Sequence, residues 1–337
     1  MSQRITIVGA GIAGVACAYE FARRGCAVTL VEQRAAAGLG CSWYAGGMIA
    51  PWCECETAEP VIGELGRETL AFWREHFPGT VAKGTLVVAP RRDLPDLHRF
   101  ARRTAEFEWL DARQLAAIEP QLAGVHNQAL YFPREAHLDP RQAVIALMTR
   151  IDVDFGVRLA TAAPATADWT IDCRGLDAAD VLKDLRPVKG EMLVVKSPEL
   201  NFSRPLRMLH PRMPVYVVPR GDGVYMIGAT MIENAEQGRV TVRSVLELLG
   251  AAYALHPNFG EAEIIETGSG LRPAFPDHLP RLRLRGRTIY VNGLYRHGFL
   301  IAPALARQTA DVALLGARFP ELMREEFDAD RSQRQAG

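Results

Sequence analysis

Gly9, Gly11 and Gly14 fall in the run Gly9-Ala10-Gly11-Ile12-Ala13-Gly14, which follows the β-branched stretch Ile5-Thr6-Ile7-Val8 without a gap. The chemistry of such a turn is the binding of a dinucleotide. Gly9 permits the tight turn, Gly11 lets a pyrophosphate approach the backbone, and Gly14 lets the next helix pack closely on the strand. The helix N-terminus supplies free N–H groups and a positive dipole end to the phosphates, and Ile12 and Ala13 before it are assigned to the same cofactor contact. Glu32 ends a second apolar run, Cys26 to Val31, about 20 residues beyond the glycines, where an acid can accept hydrogen bonds from both adenosine ribose hydroxyls. Gln33 beside it is assigned to the same cofactor contact. A 2′-phosphate would meet the charge of Glu32, so NADP is disfavoured. FAD and NAD share this fingerprint, and the turn alone does not separate them.

Elements must hold these residues in place. Helical spacing predicts a first helix from Val15 to Arg24, stopped by Gly25 at a C-cap position. Trp169 to Gly175 and Ile289 to Gly293 read as strands that run into glycine, and a helix is expected from about Ala302 to Leu315. Further strands are expected at Gly84–Ala89, Ala129–Phe132, Met192–Val195, Val215–Val218 and Val224–Ile227, each bounded by Gly or Pro signals. Helices are expected at Pro60–His76, Leu94–Glu106, Pro140–Thr149 and Val242–Leu255. The polar tail after Phe327 reads as disordered. A chain of 337 residues exceeds the size at which one core usually stops growing, which favours two domains.

Composition excludes several classes. Lys plus Arg number 39 and Asp plus Glu number 39, so no net field gathers nucleic acid or anionic lipid. No apolar run reaches the roughly 18 residues of a membrane span, and the start lacks a signal peptide, so the chain reads as cytoplasmic. Six scattered cysteines read as reduced thiols rather than a disulfide framework. Cys53-Glu54-Cys55 lacks the spacing of common zinc or redox sites, and no metal is expected.

Several blocks in order carry a resemblance: Gly46-Gly47-Met48, Gly190-Glu191-Met192, Tyr216-Val217-Val218-Pro219-Arg220, Gly228-Ala229-Thr230-Met231, Gly270-Leu271-Arg272-Pro273 and Gly298 to Pro303. Over nearly its whole length the chain resembles the D-amino-acid oxidase superfamily of flavoproteins, and within it the glycine oxidases that supply an imine for thiamine biosynthesis. The resemblance implies an α/β fold. A Rossmann-like, doubly wound FAD-binding domain would comprise residues 1–83, 139–187 and 265–337, and an α+β substrate domain on an antiparallel sheet would comprise 84–138 and 188–264. The stretch between Arg150 and Asp172 is shorter and richer in alanine than the family's usual hairpin, so no flavin contact is placed there.

The resemblance also implies roles. Arg272 would bind a substrate carboxylate bidentately and Tyr216 would share it, while Met231 and Met48 would wall a small pocket. Arg296 and the backbone N–H groups of Gly298 to Ile301 would lie at the flavin's pyrimidine end, where positive charge favours the reduced flavin. Ser42, Gly46, Gly47, Met48, Gly175, His297, Phe299 and Leu300 complete the expected cofactor contacts. His297 and His210 receive no acid–base role. FAD should be noncovalent, because no cysteine follows Cys173. The implied reaction is oxidation of a small amino acid or amine, foremost glycine, with dioxygen as the favoured acceptor. The alternatives are a sarcosine, iminodiacetate or D-amino-acid oxidase, a quinone-linked dehydrogenase, and, from another class, a flavin domain serving RNA modification. Oligomeric state, including a homo-oligomer, stays open.

Overall fold

The computed structural model describes residues 2–157, 159–160, 166–210, 214–233, 236 and 238–323. The expected disorder after Phe327 and part of the alanine-rich stretch lie outside the described residues. The chain divides into two compact units. One comprises residues 1–42, 144–187 and 272–337, the other residues 43–143 and 188–271. Residues 43–83, 139–143 and 265–271, which the sequence groups with the dinucleotide fold, pack within the second unit.

The first unit is built on six strands in the order Arg281–Arg285, Thr288–Asn292, Trp169–Asp172, Arg4–Val8, Ala27–Val31 and Leu159–Ala160. All pairings are parallel except that of the edge strand Arg281–Arg285. Ile5, Ile7, Leu30 and Ile171 are buried, as the near-continuous apolar strands of a covered parallel sheet require. The first helix spans Ile12–Arg23 and begins three residues earlier than periodicity suggests, because Gly11 is its N-cap. It packs on the last helix, Gly298–Leu315. Arg24 joins the two, with Nε 2.6 Å from Glu20 and Nη1 2.7 Å from Asp311. That last helix starts at Gly298 rather than Ala302. Pro303 therefore lies inside it, where sequence alone suggests a first-turn proline.

The second unit carries eight strands in the order Glu263–Ala274, Arg186–Lys196, Val224–Gly228, Val215–Gly221, Leu206–Met208, Thr85–Val88, Gln128–Phe132 and Glu108–Asp111. Leu206–Met208 pairs in parallel with Thr85–Val88, so the sheet is mixed where the sequence reading had it antiparallel. One face packs Leu86, Leu193, Val195, Val217, Tyr225 and Ile227 against Leu248, Ala252 and Leu255 of the helix Val242–Leu255. The helices Pro60–His76 and Val242–Leu255 keep their expected bounds. The helix expected to end at Thr149 continues to Phe155, and the one expected to reach Glu106 stops at Arg103. Among the described residues no helix is long and apolar enough to cross a membrane.

Candidate functional site

The dinucleotide turn takes the form that the glycines suggest. Gly9 adopts φ +96°, and a Cβ there would come within 2.6 Å of the Cys173 carbonyl oxygen. At Gly14 a Cβ would run into the carbonyl oxygen of Gly9, so helix and strand approach as closely as backbone permits. The N–H groups of Ala13 and Gly14 open the helix, where an α-helix supplies its donors with no partner of its own. Ser42 acts differently from a plain loop residue: its Oγ accepts from the Ile12 N–H at 3.1 Å. Of Ile12 and Ala13, both assigned to the cofactor in sequence, Ile12 thus has its N–H already bonded within the protein.

Glu32 is buried. Its Oε2 accepts from the Ala10 N–H at 2.8 Å and its Oε1 from the Arg34 N–H at 2.9 Å. A carboxylate offers about four lone-pair sites, so capacity is left for a ribose. The acid therefore also tightens the turn itself. Gln33 donates to Asp177 at 2.9 Å.

At the same, carboxyl-terminal end of the parallel strands, Asn292 ties two loops. Its Nδ2 donates to the Gly175 carbonyl at 2.8 Å while its Oδ1 accepts from Gly293 at 2.8 Å. This buried amide had no sequence signal beyond a strand ending in Asn-Gly. Two residues on, the Tyr295 N–H donates to the Pro273 carbonyl at 3.0 Å, joining the Arg272-Pro273 segment to the loop that carries Arg296. The ring of Tyr295 stacks on His278 at 4.5 Å. Arg272 is half-buried and its charge reaches the Cys41 thiol, whose pKa is nevertheless raised because burial outweighs it. His297 is the buried N-cap of the last helix. The N–H groups of Gly298, Phe299 and Leu300 lie in its first turn. That of Ile301 already donates to the His297 carbonyl at 3.0 Å, so the expected donor row is one residue shorter.

In the second unit, Tyr216 stands in a row of paired positions with Arg207 on one side and Gly228 on the other, so the three share a sheet face. The ring that lies against Gly46 is that of Tyr216: a Cβ at Gly46 would sit 2.7 Å from its Cε2. Gly228 leaves room on the far side, where an added Cβ would stand 3.4 Å from the same atom. Met192, Tyr44 and Met226 pack around this face. Arg207 is not open to a ligand in the way its place beside Tyr216 suggests, since Glu54 lies 3.2 Å and Glu56 3.6 Å from its guanidinium. Met48 pairs with His137 in a short ladder and is half-buried, while Met231 is 53% exposed.

Three buried ionisable groups around this ladder escaped the sequence reading because their partners are distant in the chain. Glu135 accepts from the Trp52 and Cys53 N–H groups at 3.0 and 2.7 Å, capping the turn that follows Met48. Burial pushes its carboxyl up to about 8. Burial, helped by the charge of Arg220, pulls His137 down to about 3. Arg220 donates to the carbonyls of Leu138, Ala45 and Gly46. Among the described residues no group of three or more His, Cys, Asp or Glu gathers as metal ligands would.

Comparison with known proteins bears on this arrangement. The profile of the family described as FAD dependent oxidoreductase matches residues 4–312. A Rhizobium etli protein with the provisional name thiamine biosynthesis oxidoreductase ThiO is 50% identical over 324 residues, covering 95% of this chain and 99% of that protein. The glycine oxidase of Geobacillus kaustophilus is 28% identical over 351 residues, covering 91% of this chain and 92% of the enzyme. A crystal structure of glycine oxidase from that organism matches with a TM-score of 0.79 at 26% identity, covering 98% of each chain.

Proposed function

The chain belongs to the FAD-dependent oxidoreductase family, and from that premise we propose that it oxidises glycine. Two-electron oxidation gives the imine, which water hydrolyses to glyoxylate and ammonia, and with dioxygen as acceptor the electrons leave as hydrogen peroxide. The family match carries the FAD assignment, and the complete turn suits it: Gly9, Gly14, the first-turn donors and the buried Glu32 fit a pyrophosphate and a ribose. The first unit is proposed as the FAD-binding part and the second as the substrate part.

When bound, FAD supplies a two-electron acceptor. The protein's residues supply orientation, which in such a reaction is most of the catalytic task. Arg272, at the edge of the first unit, is proposed to hold the glycine carboxylate with its planar fork, and Tyr216 is proposed as a carboxylate-binding hydroxyl of the second. Met48 and Met231 fill space without polar demands, suiting a very small substrate. The amine must arrive unprotonated, and no side chain need act as an obligatory base. Arg296 and the N–H groups of Gly298, Phe299 and Leu300 direct positive potential to one end of the site. The six cysteines are free, which suits a reducing cytoplasm.

Purified protein in air should release peroxide and ammonia in equal amounts from glycine, and should release peroxide more slowly from sarcosine, iminodiacetate or D-alanine. Faster turnover of one of the larger substrates would replace glycine as the assignment. Two results concern the cofactor. Acid precipitation should leave the yellow colour in the supernatant, since no cysteine follows Cys173; colour retained in the pellet would mean a covalent link. Glu32→Ala should raise the Kd for FAD titrated into apoprotein, each lost bond to the charged carboxylate being worth roughly 1.5–3 kcal/mol. Part of that loss comes from the Ala10 N–H, which is left without its acceptor. An unchanged Kd would remove Glu32 from the cofactor site.

A further inference from the structure

Arg220 lies near the end of the strand Val215–Gly221, in which Tyr216 and Val218 share a face by alternation. The register of this strand against Val224–Gly228 shifts between Pro219 and Gly221, and such irregularities re-aim a side chain. The aim here is inward. Nη1 donates to the Leu138 carbonyl at 2.8 Å, and Nη2 donates to the carbonyls of Ala45 at 3.1 Å and Gly46 at 2.9 Å. The Asp139 carboxylate lies 3.7 Å from Nε. Burial and the neighbouring Arg141 work against the charge and pull the guanidinium down to about 10, which still leaves it protonated at neutral pH.

The same short loop is held from a second point of the same strand. Tyr216 lies on Gly46, and Gly47 adopts φ +76° while its carbonyl accepts from the Leu138 N–H at 2.9 Å. A Cβ on Gly47 would collide with the Leu138 carbonyl oxygen. The loop therefore has one height available to it, set by Arg220 through the carbonyls and by Leu138 through the backbone. The Tyr216 ring rests on that height.

We propose that Arg220 is a positioning residue for substrate binding: by fixing the carbonyls of Ala45, Gly46 and Leu138 it sets the Gly46 surface on which Tyr216 rests, and so places the Tyr216 hydroxyl. The inference rests on the reading of Tyr216 as a carboxylate-binding group. It differs from a purely structural role in one respect: the effect of Arg220 must pass through Tyr216. Lysine cannot replace it, because a point charge cannot span three carbonyls as the guanidinium fork does.

The test is a double-mutant cycle in the FAD-loaded enzyme, read as KM and kcat for glycine and as the Kd of acetate, a nonreacting carboxylate, from the flavin absorbance change. Arg220→Met should raise KM and the acetate Kd about tenfold while kcat changes less than about threefold. Tyr216→Phe should raise both roughly fivefold in the wild-type background and less than about twofold in Arg220→Met, because a misplaced hydroxyl has little left to lose. Equal Tyr216→Phe effects in the two backgrounds overturn the proposal, as does an Arg220→Met protein whose folded fraction keeps the wild-type KM. If Arg220→Met does not fold, Arg220→Lys takes its place in the cycle. An intermediate KM with a reduced Tyr216→Phe effect supports the proposal, and a wild-type KM overturns it. A wild-type enzyme that fails to turn over glycine is a separate result, against the function and not against Arg220.

Discussion

Arg272→Ala is expected to lower kcat/KM for glycine by an amount on the order of 2–5 kcal/mol, because a carboxylate bound away from water is left without its partner. FAD content should not change, since the dinucleotide turn and Glu32 belong to other segments of the chain. The backbone that follows Arg272 is fixed by the Tyr295 to Pro273 hydrogen bond, so truncating the side chain removes the fork without releasing the segment. Arg272→Lys should recover part of the loss and no more. It restores charge but not two parallel bonds, and the Cα–H direction depends on both. An Arg272→Ala enzyme as active as wild type at subsaturating glycine would transfer the carboxylate to another residue and make a simple amine the better substrate.

The second large effect is on stability. Glu135 is fully buried and holds its proton to about pH 8, whereas in the unfolded chain it ionises near the ordinary 4.5. Between those limits the native state binds the extra proton, so stability falls as pH rises, by about 1.4 kcal/mol per pH unit. His137 acts with the opposite sign: unfolded, it gains a proton below 6.5, but in the fold only near 3. Its contribution is complete above 6.5 and is lost as the pH falls towards 3. The two slopes oppose each other between pH 4.5 and 6.5, and above 6.5 Glu135 acts alone. Urea unfolding at pH 6.5 and 8 should therefore show wild type losing on the order of 2 kcal/mol relative to Glu135→Gln. The amide can still accept from Trp52 and Cys53 but has no proton to lose. Equal pH dependence of the two proteins would show that Glu135 ionises normally in the fold.

The dinucleotide turn was legible because its parts are contiguous. Strand, glycines, helix and acid occupy residues 5–32, and each constraint is local: a left-handed φ at Gly9, an approach without Cβ at Gly14. Tyr216 and Arg272 entered through motif resemblance rather than spacing, since a tyrosine in a Val-Tyr-Val-Val run also suits a half-buried strand. The rest depended on contacts that span the chain. Asn292 meets Gly175 across 117 positions and Arg220 meets Ala45 across 175, and nothing in either neighbourhood signals the partner. The short strands Met48–Ile49 and Ala136–His137 fail for the same reason, as two residues give no period to read. The start of the last helix at Gly298 was missed because Pro303 suggests a first-turn position, whereas the chain carries it inside the helix. What the turn's residues can say about cofactor is likewise limited. Gly46, expected among the cofactor contacts, has the ring of the protein's own Tyr216 against it.

The most direct measurement is anaerobic. Purified yellow protein is mixed with glycine in the absence of oxygen, and the flavin absorbance is followed until it stops changing. The whole flavin band should bleach, saturating with glycine concentration, and should recover with release of peroxide when air is admitted. A band that stays unchanged at saturating glycine while another small amine or amino acid bleaches it would contradict glycine as the substrate. A band that none of them bleaches would contradict amino-acid oxidation itself.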